Sequence, residues 1–209
     1  MPELLIATNN PGKVAEFQRL LGDCGWKLMT AGALGIELSP EEPGETYAEN
    51  ARLKALEGAR LSGLVTLADD SGLEIEALEG APGPRSARFL GEDAGFDERF
   101  ARILADMEGL ESARRWARFR CLIAIALPDS EDARLCEGEV GGMIALEPRG
   151  GGGFGYDPLF YLPQRAATMA ELPERVKDIV SHRGQAAMQA RWLLMQMLYE
   201  RKGADDDAA

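Results

Sequence analysis

Two adjacent carboxylates, Asp69 and Asp70, are the side chains of this sequence with the clearest capacity for chemistry. They follow the apolar run 64–68 and precede Ser71-Gly72 and a second apolar run, 73–75. This pattern predicts a buried strand that ends at the two carboxylates, and an ordinary turn after the strand is the less favoured interpretation. Neighbouring carboxylates repel each other, so a cation is expected beside them, and Mg²⁺ is the common choice for hard oxygen ligands. The stretch therefore indicates a metal-assisted reaction.

A second segment, Thr8-Asn9-Asn10-Pro11-Gly12-Lys13, has the composition of a phosphate-binding turn. It lies between the apolar run 4–7, which predicts a strand, and apolar positions at helical spacing over 14–21. The asparagines supply amides, Gly12 permits close approach of the backbone, and Lys13 adds positive charge at the start of the helix. The segment does not match the Walker A pattern, and an ordinary Asn-capped helix is the alternative interpretation.

Charged side chains around a predicted helix over 46–61 extend this hypothesis. Glu41-Glu42 forms a second acidic pair before the helix, and Thr46 with Glu49 fits a capping box at its start. Lys54, on the same helix, would neutralise the charge of a bound polyphosphate as a reaction proceeds. A solvated acidic loop and a surface lysine are the alternative interpretations of these residues.

A glycine-rich stretch over 150–158 carries one aromatic side chain, Phe154. The glycines on either side cannot bury this ring, so it suits stacking on a nucleobase, and packing into the core is the alternative. The only histidine, His182, cannot build a multi-histidine zinc site, and a capping position explains it equally well. Its neighbour Arg183 offers a fixed fork of donors that suits keto oxygens or phosphate.

The remaining elements indicate an α/β fold with a mixed sheet. Arg115 to Leu127 reads as a long strand, alternating in its first half and apolar on both faces in its second, with Arg134 to Leu146 as an antiparallel partner. The paired glycines 141 and 142 predict a bulge or a close backbone approach. A last helix over 181–201 has two apolar stripes and a thin polar strip, so it is either well buried or partly covered by another subunit.

Composition sets the outer limits. The chain has 209 residues and no linker-like tract, which predicts one domain over 1–202. The last residues, 203–209, are small or acidic and are expected to form a disordered tail. The net charge of −12 argues against a nucleic-acid or anionic-membrane partner. No apolar run approaches the roughly 20 residues that span a bilayer, and no signal peptide is visible. Three widely spaced cysteines without a Cys-x-x-Cys pair predict buried reduced thiols in a cytoplasmic protein.

Taken together, these segments resemble the family of non-canonical purine nucleoside triphosphate pyrophosphatases, the Ham1-like proteins. The blocks that carry the resemblance run in the family's order over nearly the whole chain. They are Thr8 to Lys13, Glu49-Asn50-Ala51 with Lys54, Ala68 to Gly72, Ser86-Ala87-Arg88, Gly152 to Pro158, and Ser181 to Gly184. Each block is weak evidence alone, and the set is highly specific.

The resemblance implies an elongated, two-lobed α/β fold with a long central mixed sheet flanked by helices, and a cleft between the lobes. It implies a homodimer that requires Mg²⁺ and hydrolyses ITP, dITP and XTP to the monophosphate and pyrophosphate. Asp70 would be the proton acceptor and a metal ligand, and Glu41, with Glu42 as the alternative, a further metal ligand. Lys13 and Lys54 would assist catalysis by neutralising the triphosphate. The substrate-binding residues implied are Thr8, Asn9, Asn10, Pro11, Gly12, Lys13, Ser71, Phe154, Gly155, Tyr156, Asp157, Lys177, His182 and Arg183.

Two other classes of function remain open at this stage. A non-catalytic purine nucleotide sensor would use the same binding residues, although retention of Asp70 beside two lysines is unusual for a pure binder. A nucleotide phosphotransferase is disfavoured because the chain has neither a Walker A loop nor a kinase glycine loop. The products formed from ITP and Mg²⁺ separate the three.

Overall fold

The computed structural model describes residues 1–38 and 44–207, and side chains as far as residue 201. Glu41 and Glu42, predicted as metal ligands, lie outside the described residues. Within the described part of the chain, no helix is long and apolar enough to cross a membrane.

The described residues form seven strands in one sheet and five α-helices. In chain order they are β1 (Glu3–Ile6), α1 (Pro11–Leu21), β2 (Lys27–Thr30), α2 (Tyr47–Ser62), β3 (Val65–Ile75), α3 (Phe96–Asp106), β4 (Trp116–Ala126), β5 (Ala133–Ile144), β6 (Phe160–Leu162), β7 (Ala167–Thr168), α4 (Glu174–Val180) and α5 (His182–Asp207). The strand order in the sheet is β2-β1-β3-β4-β5-β6-β7. Strand β1 is parallel to β2 and β3, whereas β6 is antiparallel to β5 and β7, so the sheet is mixed as predicted.

The chain divides into two compact units, which are described separately. The first comprises residues 1–70, 122–137 and the chain from 184 onward. Its core contains the alanines of α2 at positions 51, 55 and 59, packed with small side chains of the strands. A Cβ atom on Gly58 would lie 2.8 Å from Cγ2 of Thr66 and 3.1 Å from Cβ of Ala7. The axis of α2 therefore lies close to β1 and β3, which lets polar side chains of α2 reach the residues of β3.

The second unit comprises residues 71–121 and 138–183. Its core is built from larger side chains, with the rings of Phe119 and Phe160 4.4 Å apart. A Cβ atom on Gly142 would lie 2.6 Å from the carbonyl oxygen of Tyr161. This close approach confirms one of the two alternatives predicted for the glycine pair. The alternation of β4 is also confirmed, since Ala117, Phe119 and Cys121 are buried and Trp116 is exposed.

The structure corrects the prediction that a strand ends at Asp69-Asp70. Strand β3 runs without interruption through these residues from Val65 to Ile75. The two apolar runs on either side are one strand, and its acidic residues are buried. Lysine partners offset the repulsion of the carboxylates, so the backbone needs no turn to bring them to solvent.

Helix α1 begins earlier than the apolar pattern indicates. It starts at Pro11 rather than at Val14, and the side chain of Asn10 caps it by accepting from the backbone N–H groups of Gly12 and Lys13. Proline is favoured at the first helical position because its missing donor would have no intrahelical partner there. The predicted capping box of α2 is confirmed, with Thr46 and Glu49 each bonded to the backbone of the other.

Candidate active site

The first cluster of functional side chains lies in the first unit and is centred on Asp70. The Asp70 side chain is 7% exposed and lies on β3. Lys54 Nζ, from α2, is 3.1 Å from Asp70 Oδ1, and Asn50 Nδ2 donates to Asp70 Oδ2 at 3.2 Å. Asn50 and Lys54 are one helical turn apart, so α2 holds both oxygens of the carboxylate from one side.

The neighbouring carboxylate has a lysine of its own. Lys13 Nζ, at the start of α1, lies 2.9 Å from Asp69 Oδ2, and the Asp69 side chain is fully buried. Lys54 Nζ also donates to the main-chain oxygen of Asp69 at 3.4 Å. We call Lys13, Asn50, Lys54, Asp69 and Asp70 the carboxylate–lysine cluster. In this cluster, two carboxylates of β3 each contact a lysine, one from α1 and one from α2.

The asparagine side chains of the Thr8 to Lys13 segment form hydrogen bonds with backbone groups of the protein. Asn10 Oδ1 accepts from Gly12 N at 2.9 Å and from Lys13 N at 3.2 Å, and Asn9 Nδ2 donates to the Leu38 carbonyl at 2.8 Å. The Asn-capped helix that was the alternative interpretation is therefore present. It does not exclude an anion, because the N-terminus of α1 keeps its dipole and brings Lys13 to the cluster.

The donor set around Asp70 fits a magnesium ion. Among the residues that the structure describes, no group of three histidine, cysteine or acidic side chains forms a metal cage. Mg²⁺ does not need one, because it usually takes one or two carboxylates and completes its shell with water and phosphate oxygens. The described chain resumes at Gly44, whose N–H donates at 3.0 Å to Oδ1 of Asn50, the residue that also holds Asp70.

A second cluster lies in the second unit and is centred on the glycine-rich loop. Asp157 Oδ2 accepts from Lys177 Nζ at 2.5 Å and from the backbone N–H of Phe154 at 2.8 Å. Both charged side chains are only 5% exposed. The Phe154 ring lies 5.0 Å from Lys177 Nζ and 5.3 Å from Cζ of Arg183, so two cations flank one aromatic ring.

Arg183 is fixed by a residue distant in sequence. Its Nη2 donates to Ser71 Oγ at 2.7 Å, although 112 positions separate the two residues. We call Ser71, Phe154, Asp157, Lys177 and Arg183 the Phe154 cluster. Ser71 directly follows Asp70 in β3, so adjacent residues of one strand belong to the two clusters.

Two other predicted site residues have structural partners. The His182 ring stacks on Phe119 with centroids 4.6 Å apart and planes at 17°. The Tyr156 hydroxyl donates to the Ser86 carbonyl at 2.9 Å, and burial raises the pKa of this phenol to about 12. Tyr156 therefore remains protonated and contributes to packing near the loop.

The loop needs glycine at position 153. Its φ of +67° lies in the left-handed region, and a Cβ atom there would lie 2.1 Å from Asp157 Oδ2 and 2.8 Å from Lys177 Nζ. Only a residue without a side chain leaves room for the buried ion pair. Gly153 thus serves both a left-handed backbone conformation and close packing against Asp157.

Sequence reasoning assigned no role in the site to Asn50, and of the acidic pair it placed only Asp70 among the catalytic and metal-binding residues. Asn50 lies within a recognised block and four residues before Lys54, and this spacing on one helix face was the available signal. Asp69 was predicted as one of the paired carboxylates, but nothing local in the sequence indicates that it contacts Lys13. Lys177 lies on α4, a helix that the sequence analysis did not predict.

Comparison with known proteins agrees with this architecture. The model of the Ham1 family matches residues 4–192. The chain is 46% identical over 195 residues to a dITP/XTP pyrophosphatase of Desulforamulus reducens. The aligned residues cover 93% of this chain and 96% of that relative. This chain is 42% identical over 194 residues to the dITP/XTP pyrophosphatase of Bacillus subtilis, covering 93% and 98% of the two chains.

Solved structures show the same relationship. A HAM1 protein from Coxiella burnetii superposes with a TM-score of 0.85 at 42% identity, covering 94% of this chain and 100% of the other. The Ham1 protein of Staphylococcus aureus gives a TM-score of 0.81 at 36% identity, covering 93% and 99%. The fold is that of an α/β protein in which strand β3 carries two buried carboxylates. The chain belongs to the Ham1 family.

Proposed function

We propose that this protein is a magnesium-dependent hydrolase that converts non-canonical purine nucleoside triphosphates (ITP, dITP and XTP) to the monophosphate and pyrophosphate. The observation that carries the proposal is the buried Asp70 carboxylate, held on one oxygen by Lys54 and on the other by Asn50. The names of the curated relatives, dITP/XTP pyrophosphatases, support the same substrate class.

The carboxylate–lysine cluster binds the triphosphate in this proposal. Lys13 and Lys54 neutralise phosphate charge, and the residues from Thr8 to Gly12 present the N-terminus of α1 to it. Asp70 accepts a proton from a water molecule that attacks the α-phosphorus in line, and the bond between the α-phosphorus and the bridging oxygen breaks. Because the protein's contribution is mainly positioning and electrostatics, the fixed geometry of the Asp70 carboxylate suits this role.

Asp70 and Glu41, with Glu42 as the alternative to Glu41, are proposed to hold the metal. A bound Mg²⁺ would stabilise the negative charge that develops on the phosphate oxygens. Lys54 then balances the charge of Asp70 in the absence of substrate, and Asn50 keeps the carboxylate oriented in either state.

The Phe154 cluster, together with His182, binds the purine base in this proposal. Phe154 stacks on the ring system, and Lys177, His182 and Arg183 are donors that match the keto oxygen at C6 of hypoxanthine and xanthine. Adenine presents an amino group at C6, which would face donors, and a buried mismatch of this kind discriminates by about 10⁴. Ser71 holds Arg183 for this contact.

We further propose that the protein acts in the cytoplasm as a homodimer. Three buried cysteines, none of which forms a disulfide, support a reducing compartment. Large apolar side chains exposed on α5 support association with a second copy.

Incubation with ITP and Mg²⁺, followed by ³¹P NMR, tests the reaction class. We expect IMP and pyrophosphate, with ATP turned over far more slowly. Orthophosphate or an acceptor-dependent product would indicate a phosphotransferase, and no product would indicate a sensor. Equal rates on ATP and ITP would contradict the assignment of the base contacts.

The Asp70→Asn variant tests the proposed base. Its turnover should fall by about 10²–10⁴, while ITP binding survives because the side chain keeps its size and its place beside Asn50. Asp106→Asn, which changes an exposed carboxylate paired with Arg102 on α3, is the matched control and should retain activity. Near-normal turnover of the Asp70 variant would reject its catalytic role.

A further inference from the structure

Helix α5 exposes a continuous apolar stripe that the proposed reaction does not use. Met188, Trp192, Met195 and Tyr199 are 60%, 76%, 52% and 81% exposed. The opposite face of the same helix is buried through Ala186, Ala190, Leu194 and Met197. We call the four exposed residues the α5 seam. It is the densest group of large exposed apolar side chains among the residues described.

The spacing of the α5 seam is that of a helix–helix interface. Its residues follow one another at intervals of four, three and four positions. Apolar residues that repeat every 3.5 positions on average keep one line of contact with a partner helix. An accidental scatter of exposed apolar residues would not keep this period over three turns.

The charge along this part of α5 also favours a second copy. The chain as a whole carries a net charge of −12, so two copies repel each other over most of their surface. From Gln185 to Tyr199 the helix has no acidic residue and one basic residue, Arg191. Like-charge repulsion is therefore weakest where the apolar side chains are exposed.

We propose that two copies of this chain associate through the α5 seam, with their α5 helices antiparallel about a two-fold axis between residues 192 and 195. This register places Met188 against Tyr199 of the partner subunit and Trp192 against Met195 of the partner subunit. Every contact then pairs a methionine with an aromatic ring, a favourable contact for the thioether sulfur. The seam is complementary to itself only in this antiparallel arrangement, since a parallel pair would set like residues against each other.

The available area is sufficient for a stable dimer. The four exposed side chains present about 600 Å² per copy, so they can remove at most about 1,200 Å² from water in the dimer, which exceeds the lower limit for a specific interface of about 1,000 Å². The inference names the interface of the homodimer and rests on that part of the proposed function.

Sedimentation of the whole protein over a wide concentration range tests the proposal. We expect the wild type to be a dimer at about 10 µM, and Trp192→Glu to weaken the dimer at least about 30-fold, which corresponds to roughly 2 kcal/mol at a central aromatic contact. Leu146→Glu is the matched control, because Leu146 is equally exposed, at 76%, and lies outside α5. It should leave the dimer unchanged.

Cysteine crosslinking tests the register. Under mild oxidation, Met188→Cys mixed with Tyr199→Cys should give a disulfide-linked dimer, and neither variant should crosslink efficiently alone. Crosslinking of Met188→Cys with itself would indicate a parallel pair and overturn the register. The native cysteines are buried and serve as an internal background.

The outcomes separate the interface from the function. A dimer that Trp192→Glu and Tyr199→Glu leave intact would overturn the α5 seam while the homodimer stands. A wild-type monomer that hydrolyses ITP would overturn the seam and the homodimer but not the enzyme. Pyrophosphate release by Trp192→Glu should remain near the wild-type rate, because the seam touches none of the proposed substrate contacts.

Discussion

The buried ion pair between Asp157 and Lys177 makes Asp157→Asn the most informative single substitution in the second unit. Asparagine keeps the size of the side chain and an oxygen that accepts from the backbone N–H of Phe154, now 2.8 Å away. What it removes is the negative charge 2.5 Å from the Lys177 ammonium. The substitution therefore isolates the electrostatic contribution of the pair.

The expected cost follows from burial. Both side chains are 5% exposed, so water cannot replace the lost carboxylate. Removing one partner of a buried pair destabilises a protein by about 3–5 kcal/mol. For a chain of this length, that lowers the melting temperature by about 6–20 °C.

Thermal unfolding followed by circular dichroism measures this effect, with Asp157→Asn/Lys177→Met as the matched control. The double variant removes both charges of the pair and leaves neither buried without its partner, so it should recover a large part of the lost stability. The value of kcat/KM for ITP should fall in both variants, because Lys177 loses the carboxylate that holds it beside Phe154 in the single variant and is absent from the double variant. A single variant within about 1 kcal/mol of the wild type, or a double variant no more stable than the single, would refute this account of the pair.

The remaining predictions concern local features. Gly153→Ala should lower the melting temperature and weaken ITP binding, because the left-handed backbone costs about 1–2 kcal/mol and the methyl group meets the buried ion pair, whereas Gly151→Ala, with open space around it, should be nearly neutral in the same two assays. Thr46→Ala should lower the free energy of urea unfolding by about 1 kcal/mol through loss of the α2 cap. Hydrogen bonds from Thr46 lower the pKa of Glu49 below its ordinary value of 4.5. The stabilisation that the Glu49 carboxylate contributes is therefore present above pH 4.5 and is lost as the pH falls through the lowered pKa. Glu49→Gln should remove this part of the acid dependence of unfolding. Burial raises the pKa of the Cys136 thiol to about 11, so alkylation of Cys136 in the native protein at pH 8, followed by peptide mass spectrometry, should be at least about a hundredfold slower than in denaturant and should accelerate with rising pH.

Much of the fold follows from local patterns. The capping box at Thr46 and Glu49 places the start of α2 correctly, because capping depends on residues three positions apart. The alternation of β4 gives its two faces, because successive side chains of a strand point in opposite directions. The short strands β6 and β7 and helix α4 were not predicted, since each is too short for its apolar period to stand out.

The error at residues 69–72 has a specific cause. Two acidic residues followed by serine and glycine form a common turn composition, and local preference favours a turn there. In the folded chain, Lys13 and Lys54 supply the charges that let both carboxylates remain buried within a continuous strand. Tertiary contacts thus override the local preference.

By itself the sequence determined the order of the motifs, the α/β class and the chemical types of the candidate site residues. These depend on composition and on spacing over a few positions, which the chain carries whether or not it is folded. Only the tertiary structure decided which partner each cation meets: Lys54 meets the Asp70 carboxylate across 16 positions, Lys177 meets the Asp157 carboxylate across 20, and Arg183 meets the Ser71 hydroxyl across 112. Such pairings require helices and strands to be packed against each other, and packing depends on the whole core rather than on any local segment.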